Sequence, residues 1–86
     1  MIHINFKPNF LRQLKKLPIA LQLEAKEKII ILKSDPSHPF LKTHKLKGGL
    51  SACYSFSVNY SYRIVFEYES KKEIVLLAIG DHSVYD

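Results

Sequence analysis

Residues 53–79 read CYSFSVNYSYRIVFEYESKKEIVLLAI, and this stretch decides the fold because its side chains alternate with the period of a β-strand. Aromatic and aliphatic residues alternate with polar ones over residues 54–58 and again over 60–68. Residues 73–79 are apolar on both sides, as in an interior strand. Polar breaks at Asn59 and at residues 69–72 predict turns. The stretch therefore predicts three antiparallel strands joined as a meander.

The alternation also predicts that the two faces of this sheet differ. Tyr54 and Phe56 point to one face, which we expect to lie under the helices. Ser55, Ser57 and Arg63 point to the other face, which we expect to be uncovered.

The amino-terminal half predicts a short strand followed by two helices. Residues 2–6 alternate as a strand does, and Pro8 suits the first turn of a helix. Pro18 separates that helix from a second one over residues 19–33. Because residues 29–32 are apolar all round, we expect the end of the second helix to be deeply buried. The predicted fold is α+β, in the order β-α-α-β-β-β: an antiparallel sheet with a helical hairpin on one face and a short C-terminal turn.

Composition limits the classes of function. A chain of 86 residues is expected to form a single domain over residues 1–86. Thirteen Lys and Arg against eight Asp and Glu give a net charge of +5, which favours a polyanionic partner such as nucleic acid. With Cys53 alone there is no internal disulfide, and no Cys/His group has the spacing of a zinc site. No signal pattern or membrane-length apolar run is present, so we expect a cytoplasmic protein without metal or cofactor.

Cations gather in residues 41–49, LKTHKLKGG, which contain no acid and have no clear period. Lys42, Lys45 and Lys47 are either solvated loop charges or contacts to RNA phosphates. His44 has the same two interpretations. Such a long irregular connection in a small domain is usually functional or mobile.

Three further residues are candidates for chemistry. Arg63 lies in the middle of a strand, where it either pairs with Glu67 or directs its fork of donors at a phosphate. His82 follows the last strand, and Tyr85 is three residues further on, so one helical turn would put both on one side. Together with His44, these side chains suit RNA cleavage, in which imidazoles move protons and cations stabilise the charged phosphate. That reaction requires no metal.

Four segments resemble the RelE/ParE superfamily of bacterial type II toxins, and most closely its RelE-type mRNA interferases. The resemblance covers essentially the whole chain, and its most specific parts are HKLKG, YRI and IGDHSVY. The full segments are FLRQLKKLP, DPSHPFLKTHKLKGGL, YSFSVNYSYRIVFEY and LLAIGDHSVYD.

The resemblance implies a RelE-like microbial RNase fold and a toxin that inhibits translation. Such toxins enter the ribosomal A site and cleave mRNA there, with the 2′-hydroxyl as nucleophile. A cognate antitoxin blocks the site, and the toxin–antitoxin complex often binds its own operator DNA. The alternatives are a ParE-type toxin that inhibits DNA gyrase, or an inactive relative that only binds antitoxin.

Carried over by position, the resemblance also assigns roles. His82 matches the histidine after the last strand, which transfers a proton. His44 matches the histidine in the loop before the second strand. Arg63 matches the arginine that holds the scissile phosphate, and Tyr85 matches the aromatic residue near the carboxyl end that stacks on, or orients, a base. Lys45 and Lys47 fall where the family places RNA-contacting cations. Some relatives have two arginines in the sheet region, whereas this chain has only Arg63, which leaves the division of labour open.

Overall fold

The chain forms two helices and a five-stranded sheet, described by a computed structural model over residues 1–48 and 52–81. The elements in chain order are β1 (His3–Phe6), α1 (Pro8–Lys15), α2 (Ile19–Ser34), β2 (His44–Lys45), β3 (Tyr54–Ser57), β4 (Arg63–Ser70) and β5 (Glu73–Gly80). The predicted α+β class is confirmed. The structure adds the short strand β2 to the predicted order, and the predicted C-terminal turn lies outside the described residues.

The sheet is mixed, in the order β1-β5-β4-β3-β2. The predicted meander β3-β4-β5 is antiparallel, and β2 pairs antiparallel with β3. In contrast, β1 pairs parallel with β5, because the helical hairpin carries the chain from one edge of the sheet to the other. Two backbone hydrogen bonds extend this parallel pair: the His3 amide donates to the Lys72 carbonyl at 2.8 Å, and the Lys7 amide donates to the Leu76 carbonyl at 3.0 Å.

One hydrophobic core joins the helices to the sheet. Pro8 begins α1 and Pro18 directly precedes α2, as the sequence predicts. The buried helix residues are Phe10, Leu14, Leu21, Ala25 and Leu32, and they pack against Phe56, Ile64, Phe66, Ile74 and Leu76 of the strands. The prediction that residues 29–32 are buried all round is wrong, since Ile30 is 68% exposed. The sheet covers only one side of α2, so only one stripe of that helix is removed from water.

The end of β5 is fixed by a contact that is remote in sequence. The register of β4 and β5 shifts between Val65 and Phe66, and Arg63 then pairs with Gly80. The Ile79 amide donates to Oε1 of Gln13 on α1 at 2.9 Å. This bond ties the end of β5 to α1, next to the pairing of Gly80 with Arg63, where the candidate site lies.

Cys53 offers a test of the sheet through the pH dependence of stability. Burial, aided by the negative charge of Glu67, raises the pKa of the Cys53 thiol. The folded chain therefore keeps this proton at a pH where the unfolded chain releases it, and the free energy of unfolding should fall as pH rises above about 8.5. The slope for one proton is at most about 1.4 kcal/mol per pH unit. The free energy of unfolding, measured by urea denaturation between pH 7.5 and 9.5, should fall less steeply with pH in Cys53→Ala than in the wild type. An identical dependence on pH in the two proteins would contradict the prediction.

Candidate functional site

Two serines of β3 contact the basic side chains of the site. The Arg63 guanidinium donates through Nη1 to Ser57 Oγ at 2.8 Å, and His44 Nε2 lies 3.4 Å from Ser55 Oγ. The prediction that both serines are uncovered is wrong, because both are buried. The larger side chains of Arg63 and His44 lie against these small hydroxyls. Arg63 is half-buried, whereas His44 is exposed to solvent.

The two serines set the spacing of His44 and Arg63. Ser55 and Ser57 are two residues apart on one strand, so they point to the same face roughly 7 Å apart. His44 pairs with Ser55 across β2 and β3, and Arg63 pairs with Ser57 across β3 and β4. An imidazole and a guanidinium that are 19 positions apart in sequence are therefore held on neighbouring points of one surface.

The guanidinium of Arg63 is not engaged by an acid within residues 1–48 and 52–81. Its hydrogen bond there goes to Ser57, and the pair with Glu67 that the sequence allowed does not form. The strand position opposite Arg63 is Gly80, which has no side chain. The remaining N–H donors of the guanidinium can therefore be offered to a ligand.

The contacts of His44 favour one tautomer of its neutral ring. Nδ1 lies 3.5 Å from the backbone carbonyl of Lys42, which only accepts hydrogen bonds, so this long contact favours the tautomer that carries the proton on Nδ1. Nε2 is then the acceptor that faces the hydroxyl of Ser55. A neutral His44 accordingly presents its basic nitrogen toward the sheet face that carries Arg63.

A cleft of about 470 Å³ opens beside Arg63, at the turn between β3 and β4. Among residues 1–48 and 52–81, its lining includes three cations, Lys28, Lys42 and Arg63, and no acidic side chain. The other lining residues are Phe40, Ser57, Val58, Asn59 and Tyr60. Cations that share a concave wall reinforce one another's field, so the cleft attracts anions.

Lysine 28 is a member of the site that sequence reasoning missed. It lies on α2, where its spacing indicates an ordinary solvent-facing residue. In the structure its Nζ donates to the Val58 carbonyl at 3.1 Å, across thirty positions of sequence. No pattern in the sequence around Lys28 predicts a contact with so distant a residue. Sequence reasoning also misses Phe40 and Tyr60 as site residues, because the exposure of their large rings is seen only in the structure.

The predicted RNA-contacting lysines do not share one surface. Lys42 lines the cleft and adopts a left-handed conformation with φ 49°, which is uncommon for a residue with a side chain. Lys45 follows His44 on β2 and pairs with Tyr54, so it points to the opposite face of the sheet. Lys47 is exposed just beyond β2. His82 and Tyr85 lie outside the described residues.

Neither α1 nor α2, the two helices within the described ranges, has the length and apolar character needed to span a membrane.

Solved structures of several toxins resemble this one. A copper-bound mutant toxin from Helicobacter pylori is 23% identical, with 100% of each chain covered and a TM-score of 0.75. The RelBE2 toxin–antitoxin complex of Mycobacterium tuberculosis matches at 19% identity and a TM-score of 0.79, covering 94% of this chain and 98% of the other. YafQ from E. coli matches at 14% identity and a TM-score of 0.77, covering 99% and 98%.

No protein-family model matches the sequence, and no curated relative matches it. The likeness therefore rests on the shape of the whole chain, and it confirms the fold that the resemblance implied. The chain has the fold of the RelE-like toxins of type II toxin–antitoxin systems.

Proposed function

We propose that this protein is the toxin of a type II toxin–antitoxin system and that it cleaves mRNA in the ribosomal A site. The observation that carries the proposal is the placement of His44 and Arg63 against Ser55 and Ser57 on one sheet face, with Arg63 also lining a cationic cleft. The toxin fold supports it independently of these side chains.

The reaction that suits this site is transesterification within RNA. A base removes the proton from a ribose 2′-hydroxyl, and the resulting oxygen attacks the adjacent phosphorus. The O2′–P bond forms while the P–O5′ bond breaks, and an acid protonates the departing 5′ oxygen. The products are a 2′,3′-cyclic phosphate and a 5′-hydroxyl. Each positioned proton transfer typically contributes about 10²–10⁴-fold to the rate.

In this proposal each site residue has a separate role. Arg63 binds the non-bridging phosphate oxygens and stabilises the charge that grows on them. His44 and His82 are the proton carriers, and Tyr85 stacks on a base. The role of His82 rests on the resemblance and on its place in the sequence, two residues after Gly80, which pairs with Arg63. Of the three lysines that the sequence predicts as RNA contacts, Lys42 lines the cleft and binds a phosphate there. Lys45 points to the opposite face of the sheet and Lys47 lies beyond β2, so in this proposal they contact RNA further from the scissile phosphate.

A proteinaceous inhibitor follows from the same proposal. The similar structures include the RelBE2 toxin–antitoxin complex of Mycobacterium tuberculosis and the RelE–RelB complex of Pyrococcus horikoshii. We expect a cognate antitoxin to cover the cationic cleft and the His44–Arg63 face, and the complex to bind operator DNA. Cleavage of mRNA on ribosomes also places the activity in the cytoplasm.

The proposal is tested by inducing the chain in bacteria and mapping the 5′ ends of cellular mRNAs by primer extension. New ends between positions of an A-site codon, absent with an Arg63→Ala/His82→Ala double variant, would support it. Growth arrest with intact mRNA and broken chromosomes would instead indicate inhibition of DNA gyrase. Normal growth with the wild-type chain would indicate a protein that only binds antitoxin.

The single substitution His82→Gln is expected to abolish toxicity, because glutamine retains hydrogen bonding but does not exchange a proton near neutral pH. Growth after induction measures the effect, and thermal denaturation of the purified variant checks that the domain still folds. His3→Gln, on the exposed strand β1, is the matched control and should stay toxic. A fully toxic His82→Gln variant would remove His82 from the mechanism.

A further inference from the structure

Two exposed aromatic rings at the cationic cleft have no role in the mechanism above. Phe40 is 66% exposed and Tyr60 is 97% exposed, and both line the cleft with Lys28, Lys42 and Arg63. Large rings that remain in water contribute little to folding, so their placement beside cations calls for another explanation.

The backbone beneath Tyr60 is held firmly although its ring is free. Oδ1 of Asn59 accepts hydrogen bonds from the amides of Ser61 and Tyr62, both at 2.9 Å. The Val58 amide donates to the Tyr62 carbonyl at 2.9 Å and closes the turn between β3 and β4. A ring mounted on a fixed turn loses little entropy when a ligand binds to it.

Phe40 is also held by a fixed turn of the backbone. It lies in the 3-10 turn Pro39–Leu41, and its amide donates to Nδ1 of His38 at 3.1 Å. The next residue, Leu41, is fully buried and anchors the turn in the core. The His38 ring packs against the Phe40 ring in a T-shaped arrangement with centroids 4.8 Å apart. Two rings on fixed turns and three cations therefore line the same cleft.

Exposed aromatic rings that alternate with cations are the arrangement by which proteins hold single-stranded nucleic acid, with bases stacked on the rings and phosphates on the cations. A base in a duplex is stacked on both sides and cannot occupy such a position. We propose that Phe40 and Tyr60 stack on the bases of nucleotides that flank the scissile phosphate, and that Lys28 binds a flanking phosphate. This inference rests on the proposed function and makes the cleft a single-stranded RNA site that binds without the ribosome.

The test is binding of a fluorescent, 2′-O-methylated RNA hexamer, which the toxin cannot cleave, measured by anisotropy at several salt concentrations. Phe40→Leu and Tyr60→Leu keep apolar bulk but lack a stacking face, and each should weaken binding at least about fivefold. Because no charge is removed, the slope of log K against log salt should be unchanged. Lys28→Ala should flatten that slope by about 0.7, the value for one phosphate contact on a single strand.

Matched controls lie elsewhere on the surface. Phe6→Leu, on the exposed edge strand β1, should leave the affinity unchanged, and Lys71→Ala, in the turn between β4 and β5, should leave the salt slope unchanged. The inference is overturned if the wild-type chain does not bind the hexamer, or if the Phe40 and Tyr60 variants bind as tightly as the Phe6 variant. If the rings matter for binding while induced cells keep intact mRNA, the RNA site stands and the cleavage proposal fails.

Discussion

Replacement of Arg63 by alanine is expected to slow cleavage of ribosome-bound mRNA by about 10²–10³-fold, which is the usual effect of removing one positioned donor from a developing negative charge. The guanidinium is fixed by Ser57 at 2.8 Å, so its other donors are oriented before the phosphate arrives. Single-turnover cleavage of mRNA on purified ribosomes measures the rate.

Two variants separate the geometry of Arg63 from its charge. Arg63→Lys keeps the charge but loses the planar fork, so its rate should fall between those of the wild type and Arg63→Ala. The only other arginine, Arg12, is exposed on α1, and Arg12→Ala should cleave at the wild-type rate. Equal rates for Arg63→Ala and Arg12→Ala in folded protein would rule out phosphate stabilisation by Arg63.

The sequence predicts those parts of the fold that depend on the local spacing of apolar residues and prolines. Alternation over residues 53–79 predicts the meander, and Pro8 and Pro18 mark the starts of the helices. Strand β2 has only two residues, too few to show a period, and it forms because β3 offers an open edge. The parallel pairing of β1 likewise depends on where the helices return the chain, which is not a local property.

The candidate site is only partly readable for the same reason. Arg63 stands out because the alternation predicts a charge in the middle of a strand, although β4 in fact begins at Arg63. His44 stands out because it lies among lysines. That buried serines anchor both side chains depends on cross-strand register, which the sequence alone does not fix. Lys28 reaches the cleft through a contact with Val58 that only the folded chain creates.

Replacement of Phe66 by alanine is expected to cost about 3–5 kcal/mol of folding stability. Its ring is fully buried on β4 and packs against Tyr54, Phe56 and Tyr68, with centroids 5.5 to 5.7 Å apart. Removing it takes away buried apolar surface and leaves a cavity that these three rings can only partly fill. Small domains have total stabilities of about 5–15 kcal/mol, so the variant should be close to unfolding at 37 °C.

Urea denaturation of the same substitution at two sites separates burial from residue type. Phe40→Ala removes an equally large ring from an exposed position and should change stability by less than about 0.5 kcal/mol. Phe66→Ala should lower the urea midpoint strongly at an unchanged slope, because the surface exposed on unfolding is nearly the same. Similar midpoints for the two variants would contradict the assignment of Phe66 to the core. A large loss at Phe66 alone would show that the helix-covered face of β4 stabilises the fold. Arg63, three residues earlier on that strand, is not part of the hydrophobic core, so its side chain is available to bind a ligand.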